Sequence, residues 1–232
     1  MTHRSIARTR FHIFEKQHRN RFVNFFYNER LHRALCMIDS EATKNSSPRT
    51  VLDLGCGSGC FSRVLASKFT TIGLDIKKVF KKIEPRSKKL NFVLADISFL
   101  PFQRHSIDIV LCLSVLEHVQ DLEETIKKIK EVLKSDGIFI AGYPLETKSF
   151  KLMWKLISPV SFTFIDQSQT YWYNPSTRKK ECYWESAHTH KHEYKNIRDA
   201  LAKKFRIISK EKLPFNIFPD LLAFYECVKM QN

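Results

Sequence analysis

The feature that most constrains this chain is an alternation of short apolar runs with helical segments between residues 50 and 144. Runs rich in β-formers occur at 50–54, 71–75, 90–96, 106–115 and 138–144. Helical segments lie between them at 60–68 and 121–134, the latter amphipathic with acids first and lysines last. This alternation predicts an α/β fold, with a parallel sheet covered by helices on both faces. The run 106–115 is fully apolar in its middle and is predicted to lie centrally in that sheet.

The flanking segments complete the predicted organisation. Residues 11–40 predict an N-terminal helix, because apolar side chains recur at helical spacing (Val23, Tyr27, Leu31, Ala34, Leu35, Ile38). The aromatic-rich stretch 145–192 breaks the rhythm and is interpreted as an insertion. Residues 193–205 predict a further helix, and the runs FRIISKEK and LLAFYECVKM predict two closing strands. Gly137 is expected to end the helix of 121–134 as a left-handed cap.

Composition narrows the class of protein. The chain is 43% hydrophobic and 27% charged, a globular balance, and no apolar stretch approaches the roughly 20 residues of a membrane-spanning helix. The N-terminus lacks the apolar core of a secretory signal, although its arginine-rich start leaves an organellar presequence open. The six scattered cysteines form no C-x-x-C pair and fit a reducing compartment. We therefore predict a cytoplasmic protein without a disulfide framework or a metal site.

The charge is the unusual global property. The formal net charge of +15 predicts attraction to polyanions such as RNA, an anionic membrane surface or phosphorylated substrates. The basic stretch 75–89 and the basic N-terminus are either solvated helix faces or a landing surface for RNA or lipid headgroups. Residues 151–164 combine apolar bulk with lysines, which suits an interfacial segment, a lid over an acceptor pocket, or core.

Three of the six glycines, Gly55, Gly57 and Gly59, fall in the stretch VLDLGCGSGCFS at 51–62. A glycine-rich turn after the first strand of an open parallel sheet lets a ligand approach the backbone closely. A dinucleotide site requires G-x-G-x-x-G, whereas Cys60 occupies the third glycine position here. Asp53 would also repel a pyrophosphate. The pattern therefore favours a positively charged ligand without phosphate, such as S-adenosylmethionine, over NAD.

VLDLGCGSGCFS resembles motif I of the class I S-adenosylmethionine-dependent methyltransferases. Further landmarks are similar in order and spacing: TIGLD, FVLADISFLPF, SIDIVLCLSVLEHV and LKSDGIFIAGYP. The resemblance covers roughly 48–144 and is nearest to the small-molecule and lipid branch typified by the ubiquinone and menaquinone enzymes, the methyltransferase type 11 group. It implies a Rossmann-like fold with a mostly parallel seven-stranded sheet, and S-adenosylmethionine as cofactor.

The resemblance also implies roles for individual residues. Asp75 corresponds to the acid that binds both ribose hydroxyls, and Asp96 to the acid that contacts the adenine amino group, with Ile97 packed on the ring. Asp53 corresponds to an acid near the methionine end, where it either contacts the ligand or orders the loop. The complete predicted cofactor-binding set is Asp53, Gly55, Cys56, Gly57, Gly59, Asp75, Ile76, Asp96, Ile97 and Leu113.

Four histidines are candidates for a general base, which is needed only where the acceptor must lose a proton. His118 follows the fourth strand, where the pocket would open toward the acceptor, but it also suits a structural role in the first turn of a helix. His188, His190 and His192 alternate, so their rings would share one face of a strand. They would form a base, a metal-binding cluster or a solvated cluster, and we assign no metal.

These inferences divide the chain into a helical N-terminal lid (1–47), a cofactor-binding core (48–144), an insertion that lids the acceptor site (145–192), and a closing helix with strands (193–232). The predicted function is a transferase that methylates a small-molecule or lipid-like acceptor. Alternatives are an RNA- or protein-directed methyltransferase that uses the basic surface, a non-catalytic cofactor-binding subunit, and an NAD-dependent oxidoreductase.

Overall fold

The computed structural model describes residues 21–42, 49–76, 87–145, 171–174, 179–182, 191–213, 223 and 225–232. Its helices are α1 (Arg21–Ala42), α2 (Cys60–Leu65), α3 (Leu122–Val132) and α4 (Tyr194–Lys204), with a 3-10 turn at Leu116–His118. Its strands are β1 (Thr50–Leu54), β2 (Thr70–Asp75), β3 (Leu90–Leu94), β4 (Ile107–Leu113), β5 (Leu133–Pro144), β6 (Tyr171–Asn174), β7 (Lys179–Cys182), β8 (Arg206–Leu213) and β9 (Tyr225–Gln231).

Seven of these strands form one sheet in the order β3-β2-β1-β4-β5-β9-β8. Strands β1 to β5 pair in parallel, whereas β9 runs antiparallel to both β5 and β8. The prediction of a mostly parallel sheet is confirmed, and β4 lies at its centre as its apolar sequence indicates. Strands β6 and β7 form a separate antiparallel pair within the segment interpreted as an insertion, and no pattern in the sequence predicts this pairing.

The sheet has a hydrophobic core on each face. Ile109 and Leu111 of β4 belong to the core under α1 and α2, whereas Val110 and Cys112 belong to the core under α3 and α4. Side chains alternate in this way because successive residues of a strand point to opposite faces. The helices therefore cover both faces, as the alternation of strands and helices predicts.

The prediction of a left-handed cap at Gly137 is wrong. Helix α3 ends at Val132, and the chain enters β5 at Leu133, which pairs with Ile107. The pairing then moves to Ile138 opposite Ile109, so that residues 134–137 bulge from the ladder. A Cβ atom on Gly137 would lie 2.8 Å from the carbonyl oxygen of Lys134. Glycine is present here because the backbone folds closely on itself.

None of the helices within the described ranges has the length and apolar character needed to cross a membrane.

Candidate functional site

The loop at 55–59 lies at the carboxyl end of β1, the edge of a parallel sheet where ligands bind. Gly55 has φ 70° and Gly57 has φ 52°, in the left-handed region that residues with a Cβ avoid. A Cβ on Gly55 would lie 2.2 Å from Cγ2 of Val115, whereas a Cβ on Gly57 would meet no atom of the described residues within 4 Å. The loop therefore packs tightly on the segment after β4 through Gly55 and faces open space at Gly57.

The end of β2 holds this loop in place. The backbone N–H groups of Gly55 and Cys56 both donate to the carbonyl oxygen of Leu74, over 2.8 and 3.0 Å. The N–H of Gly57 donates to Oδ2 of Asp75 over 2.8 Å. Asp75 thus lies directly beside Gly57, where its carboxylate is fixed by a charge-assisted hydrogen bond.

Asp53 lies beneath the loop and is only 5% exposed. Its Oδ2 accepts a 2.6 Å hydrogen bond from the hydroxyl of Ser62 in α2. Burial raises the pKa of Asp53, the Ser62 bond opposes that rise and the nearby Asp75 charge adds to it, which together bring the pKa to about 7. Of the two roles that the sequence left open, this position favours ordering of the loop by linking β1 to α2.

Burial likewise raises the pKa of the Cys56 thiol, so this side chain is a neutral thiol rather than a thiolate.

The ends of β2 and β3 present a second acid and exposed apolar side chains. Oδ1 of Asp96 accepts from the N–H of Ser98 over 2.8 Å, which fixes the turn that follows β3. Ile76 is 64% exposed and Phe99 is 78% exposed, whereas Ile97 packs partly against the core on the α3 face. Ile76 directly follows Asp75, so its exposed apolar surface at the end of β2 suits a planar ring. Phe99 instead lines a surface pocket with Phe102 and with Lys128 and Val132 of α3.

The tip of β4 carries a hydrogen-bonded group that no sequence motif indicated. Ser114, with φ 57°, directly follows Leu113 and donates its N–H to the carbonyl of Gly142 over 2.8 Å. Its hydroxyl accepts from NH1 of Arg30 over 2.8 Å and donates to the hydroxyl of Tyr225 over 3.1 Å. Burial raises the pKa of Tyr225 well above its usual value, while Arg30 opposes that rise. These partners are 84 and 111 residues apart in sequence, so local patterns could not reveal them.

Two of the four candidate histidines, His118 and His192, lie around the turn after β4. His118 ends the 3-10 turn, and its N–H donates to the carbonyl of Val115 over 2.9 Å. A ring nitrogen of His192 lies 3.1 Å from the carbonyl oxygen of Val119, and the N–H of Lys191 donates to the carbonyl of Glu117 over 2.8 Å. The chain thus returns from the insertion onto this turn. His188 and His190 lie outside the described residues.

The structure therefore brings the predicted cofactor-binding residues to one edge of the sheet, because the carboxyl ends of parallel strands meet there. The three glycines and Asp53 come from the end of β1, Asp75 and Ile76 from the end of β2, Asp96 and Ile97 from the end of β3, and Leu113 from the end of β4.

Residues 52–141 match the family described as "Methyltransferase domain". A sterol 24-C-methyltransferase of Gibberella zeae is 33% identical over 131 residues, which cover 51% of this chain and 34% of that protein. The mitochondrial arginine-hydroxylase NDUFAF5 of Homo sapiens is 37% identical over 96 residues, which cover 39% of this chain and 27% of that protein. The chain thus spans about a third of the length of these curated relatives.

The solved structures give a match over most of the chain. Magnesium protoporphyrin IX methyltransferase of Synechocystis PCC 6803, with bound S-adenosylhomocysteine, superposes with a TM-score of 0.62 at 18% identity. The match covers 95% of this chain and 91% of that one, so the likeness in fold extends beyond the region of sequence similarity. Residues 52–141 thus match the methyltransferase domain family in sequence, and the chain shares its fold with magnesium protoporphyrin IX methyltransferase.

Proposed function

We propose that this chain binds S-adenosylmethionine across the tips of β1, β2 and β3 and transfers its methyl group to a small-molecule or lipid-like acceptor. The observation that carries the proposal is the backbone cradle at Gly57. Among the described residues no atom lies within 4 Å of a Cβ placed there, and the Asp75 carboxylate is hydrogen-bonded to the same residue. A ligand can therefore contact the backbone and the carboxylate together.

The residues around the cradle suit an adenosine. A carboxylate at the position of Asp75 can accept two charge-assisted hydrogen bonds from the cis-diol of a ribose. Asp96 offers an acceptor to an exocyclic amino group, and the exposed side chain of Ile76 offers apolar surface to the base. When bound, the cofactor supplies a methyl group already activated on a sulfonium.

The chain's own contribution to the reaction is then to align the acceptor and exclude water. The tip of β4, the turn at Leu116–His118 and the chain at 191–192 border the side of the site that faces away from β2. The matched relatives named for a sterol and for a porphyrin support a small or lipid-like acceptor. An insertion that lids this side remains part of the proposal.

Calorimetric titration with S-adenosylhomocysteine tests donor binding. We expect the wild type to bind, and Asp75→Ala to bind about 100-fold more weakly or not at all, because two charge-assisted bonds are lost. Asp136→Ala is the matched control, since Asp136 is exposed in the bulge of β5, away from the loop. Absence of binding by folded wild-type protein would overturn the proposal.

Transfer of a labelled methyl group tests the reaction and the class of acceptor. Protein and labelled S-adenosylmethionine are incubated with fractionated cell extract, and the label is followed in small-molecule, lipid, RNA and protein fractions. We expect label in the small-molecule or lipid fraction with wild type, and none with Asp75→Ala. Label in RNA or protein would overturn the proposed acceptor class. One relative is named an arginine-hydroxylase and not a methyltransferase, so the donor could be bound without methyl transfer. Donor binding without transfer of the label to any fraction would therefore overturn the methyl-transfer step itself.

A further inference from the structure

Among the large hydrophobic side chains of the described residues, Phe99 is the most exposed, at 78%. It lies in the segment 95–106, which joins β3 to β4. Ile97, Leu100 and Phe102 of the same segment pack against the core on the α3 face. The ring of Phe99 contributes little to that core, so its apolar character requires another explanation.

The backbone holds Phe99 in its exposed position. The N–H of Phe99 donates to the carbonyl of Asp96 over 2.9 Å, and the N–H of Ser98 donates to Oδ1 of Asp96 over 2.8 Å. At the other end of the segment, the N–H of His105 donates to the carbonyl of Glu131 in α3 over 3.0 Å. The segment is therefore anchored at both ends, and the ring projects from a fixed turn.

The surface pocket beside Phe99 combines apolar and cationic side chains. Phe102, Arg104 and Lys128 all line it. Arg104 and Lys128 each pair with Glu131 at 3.5 Å, but the side chain of Arg104 is 75% exposed. An ion pair that is open to water contributes little, so the guanidinium of Arg104 can turn to another anion at small cost.

The edge of the sheet on which this pocket lies is strongly basic. β3 is an edge strand, and the stretch IKKVFKKIEPRSKK at 76–89, which precedes it, has seven basic residues and one acid. Lys88 and Lys89, its described bases, are exposed. Aromatic side chains together with lysine and arginine are typical of surfaces that bind anionic lipids. Lysine is depleted in protein–protein interfaces, so a lipid surface is the favoured occupant.

We propose that Phe99, Phe102 and Arg104 bind the surface of an anionic lipid bilayer. Phe99 enters the boundary between headgroups and acyl chains, where its ring is removed from water. Arg104 donates N–H groups to headgroup phosphates, and the basic edge at β3 adds attraction to the negative surface potential. The proposal goes beyond the proposed function, because it requires neither a bound methyl donor nor a particular acceptor.

Sedimentation with lipid vesicles tests the proposal without any methyl donor present. The wild type should bind phosphatidylcholine vesicles that contain about 30% phosphatidylserine better than vesicles of phosphatidylcholine alone. Phe99→Ala should bind the anionic vesicles about 10-fold more weakly, because no ring enters the bilayer. Arg104→Ser should bind them about fivefold more weakly, as expected for one cation near an anionic surface. Both side chains are exposed, so both variants should fold, which circular dichroism checks.

β8, the opposite edge strand, supplies the matched controls. It lies about 29 Å from β3 across the sheet, at roughly 4.8 Å per strand. Ile208 is 43% exposed there, and Lys210 is exposed as well. Ile208→Ala and Lys210→Ser remove the same kinds of group from the far edge, so each should bind the anionic vesicles within about twofold of the wild type.

Fluorescence of Phe99→Trp and Ile208→Trp separates insertion of the ring from attraction by charge alone. The signal of the three native tryptophans is subtracted with the wild type as reference. On addition of anionic vesicles, the emission from position 99 should shift to shorter wavelength, whereas the emission from position 208 should not.

Three outcomes would overturn the proposal. They are a wild type that does not bind the anionic vesicles, equal losses in Phe99→Ala and Ile208→Ala, and emission from position 99 that does not shift. A wild type that forms dimers lost in Phe99→Ala, with vesicle binding unchanged, would instead assign the surface to a second copy of the chain. Because the donor is absent throughout, none of these results bears on the proposed function.

Discussion

The two halves of the sheet's carboxyl edge are built in different ways. At β1 and β2, the contacts join neighbours in the sequence: Asp53 to Ser62 across 9 positions, and Gly57 to Asp75 across 18. At β4, β5 and β9, the contacts join distant residues: Arg30 to Ser114 across 84 positions and Tyr143 to Glu226 across 83. The first half is specified by a compact motif, and the second by the topology of the whole sheet.

This difference matches the extent of the sequence likeness to other proteins. The matched family region stops at residue 141, so it contains the ends of β1 to β4 but not α1, the end of β5 or β9. The half at β1 and β2 depends on a short motif, so enzymes with different acceptors can share it. The half at β4, β5 and β9 includes segments outside the motif, where substitutions can change the acceptor without disturbing the donor site.

The largest expected effect is a loss of stability in the half of the edge that is formed by contacts between distant residues. Glu226 is fully buried, and its carboxylate accepts hydrogen bonds from Tyr143 and from both Nε and NH2 of Arg198. Glu226→Ala leaves a guanidinium and a hydroxyl without this partner, which should lower the free energy of unfolding by about 3–5 kcal/mol. Denaturant unfolding followed by circular dichroism measures the loss.

The same variant separates stability from donor binding. Below the denaturant transition, Glu226→Ala should bind S-adenosylhomocysteine like the wild type, because Glu226 has no described contact with the loop or with Asp75. A loss of stability below about 1 kcal/mol, or a selective loss of donor affinity, would contradict the division of the edge into two halves.

The same division decides what the sequence could predict. Period and composition predicted β1 to β5, α3 and both closing strands, and the motif brought Gly57, Asp75 and Asp96 to one edge. The sequence did not predict the role of Ser114, because its conformation depends on partners in α1 and β9. It misassigned Gly137 because a left-handed cap and a close backbone approach both require glycine, and only three-dimensional contacts distinguish them.

The glycine loop offers a matched pair of substitutions with the next largest effect. Gly55→Ala adds a methyl group that would lie 2.2 Å from Val115 and also forces alanine into a left-handed conformation. It should cost about 3 kcal/mol of stability, combining overpacking with backbone strain.

Gly57→Ala should cost only about 1–2 kcal/mol, since strain acts there without a clash. Its methyl group would instead occupy the space proposed for the donor. The loss in free energy of binding S-adenosylhomocysteine should therefore exceed the loss in free energy of unfolding. Thermal unfolding and calorimetry on both variants measure the contrast. Equal stability losses at the two positions would contradict the packing described for Gly55.

A smaller effect follows from the buried acid beneath the loop. Burial raises the pKa of Asp53 to about 7 from its ordinary value of 3.8. The folded state therefore keeps a proton that the unfolded state releases, and stability falls as pH rises from about 4 to about 7. Between pH 5 and pH 8 the free energy of unfolding should fall by about 2.5 kcal/mol relative to Asp53→Asn, which cannot ionise.

Urea unfolding of wild type and Asp53→Asn at four pH values in this range measures that difference. Parallel pH profiles for the two proteins would show that Asp53 is ionised in the folded state throughout, contrary to the effect of its burial.

The smallest expected effect tests burial against charge directly. Lys203 of α4 and Glu123 of α3 form an ion pair at 3.4 Å, with side chains 67% and 51% exposed. Like Arg198 and Glu226, this pair joins two distant elements, but water solvates both charges whether or not they meet. Glu123→Ala should therefore cost less than about 0.5 kcal/mol, and added salt should abolish the difference. A loss in free energy of unfolding as large as that of Glu226→Ala would contradict this expectation. It would mean that sequence separation, and not burial, determines how much a long-range ion pair stabilises the fold.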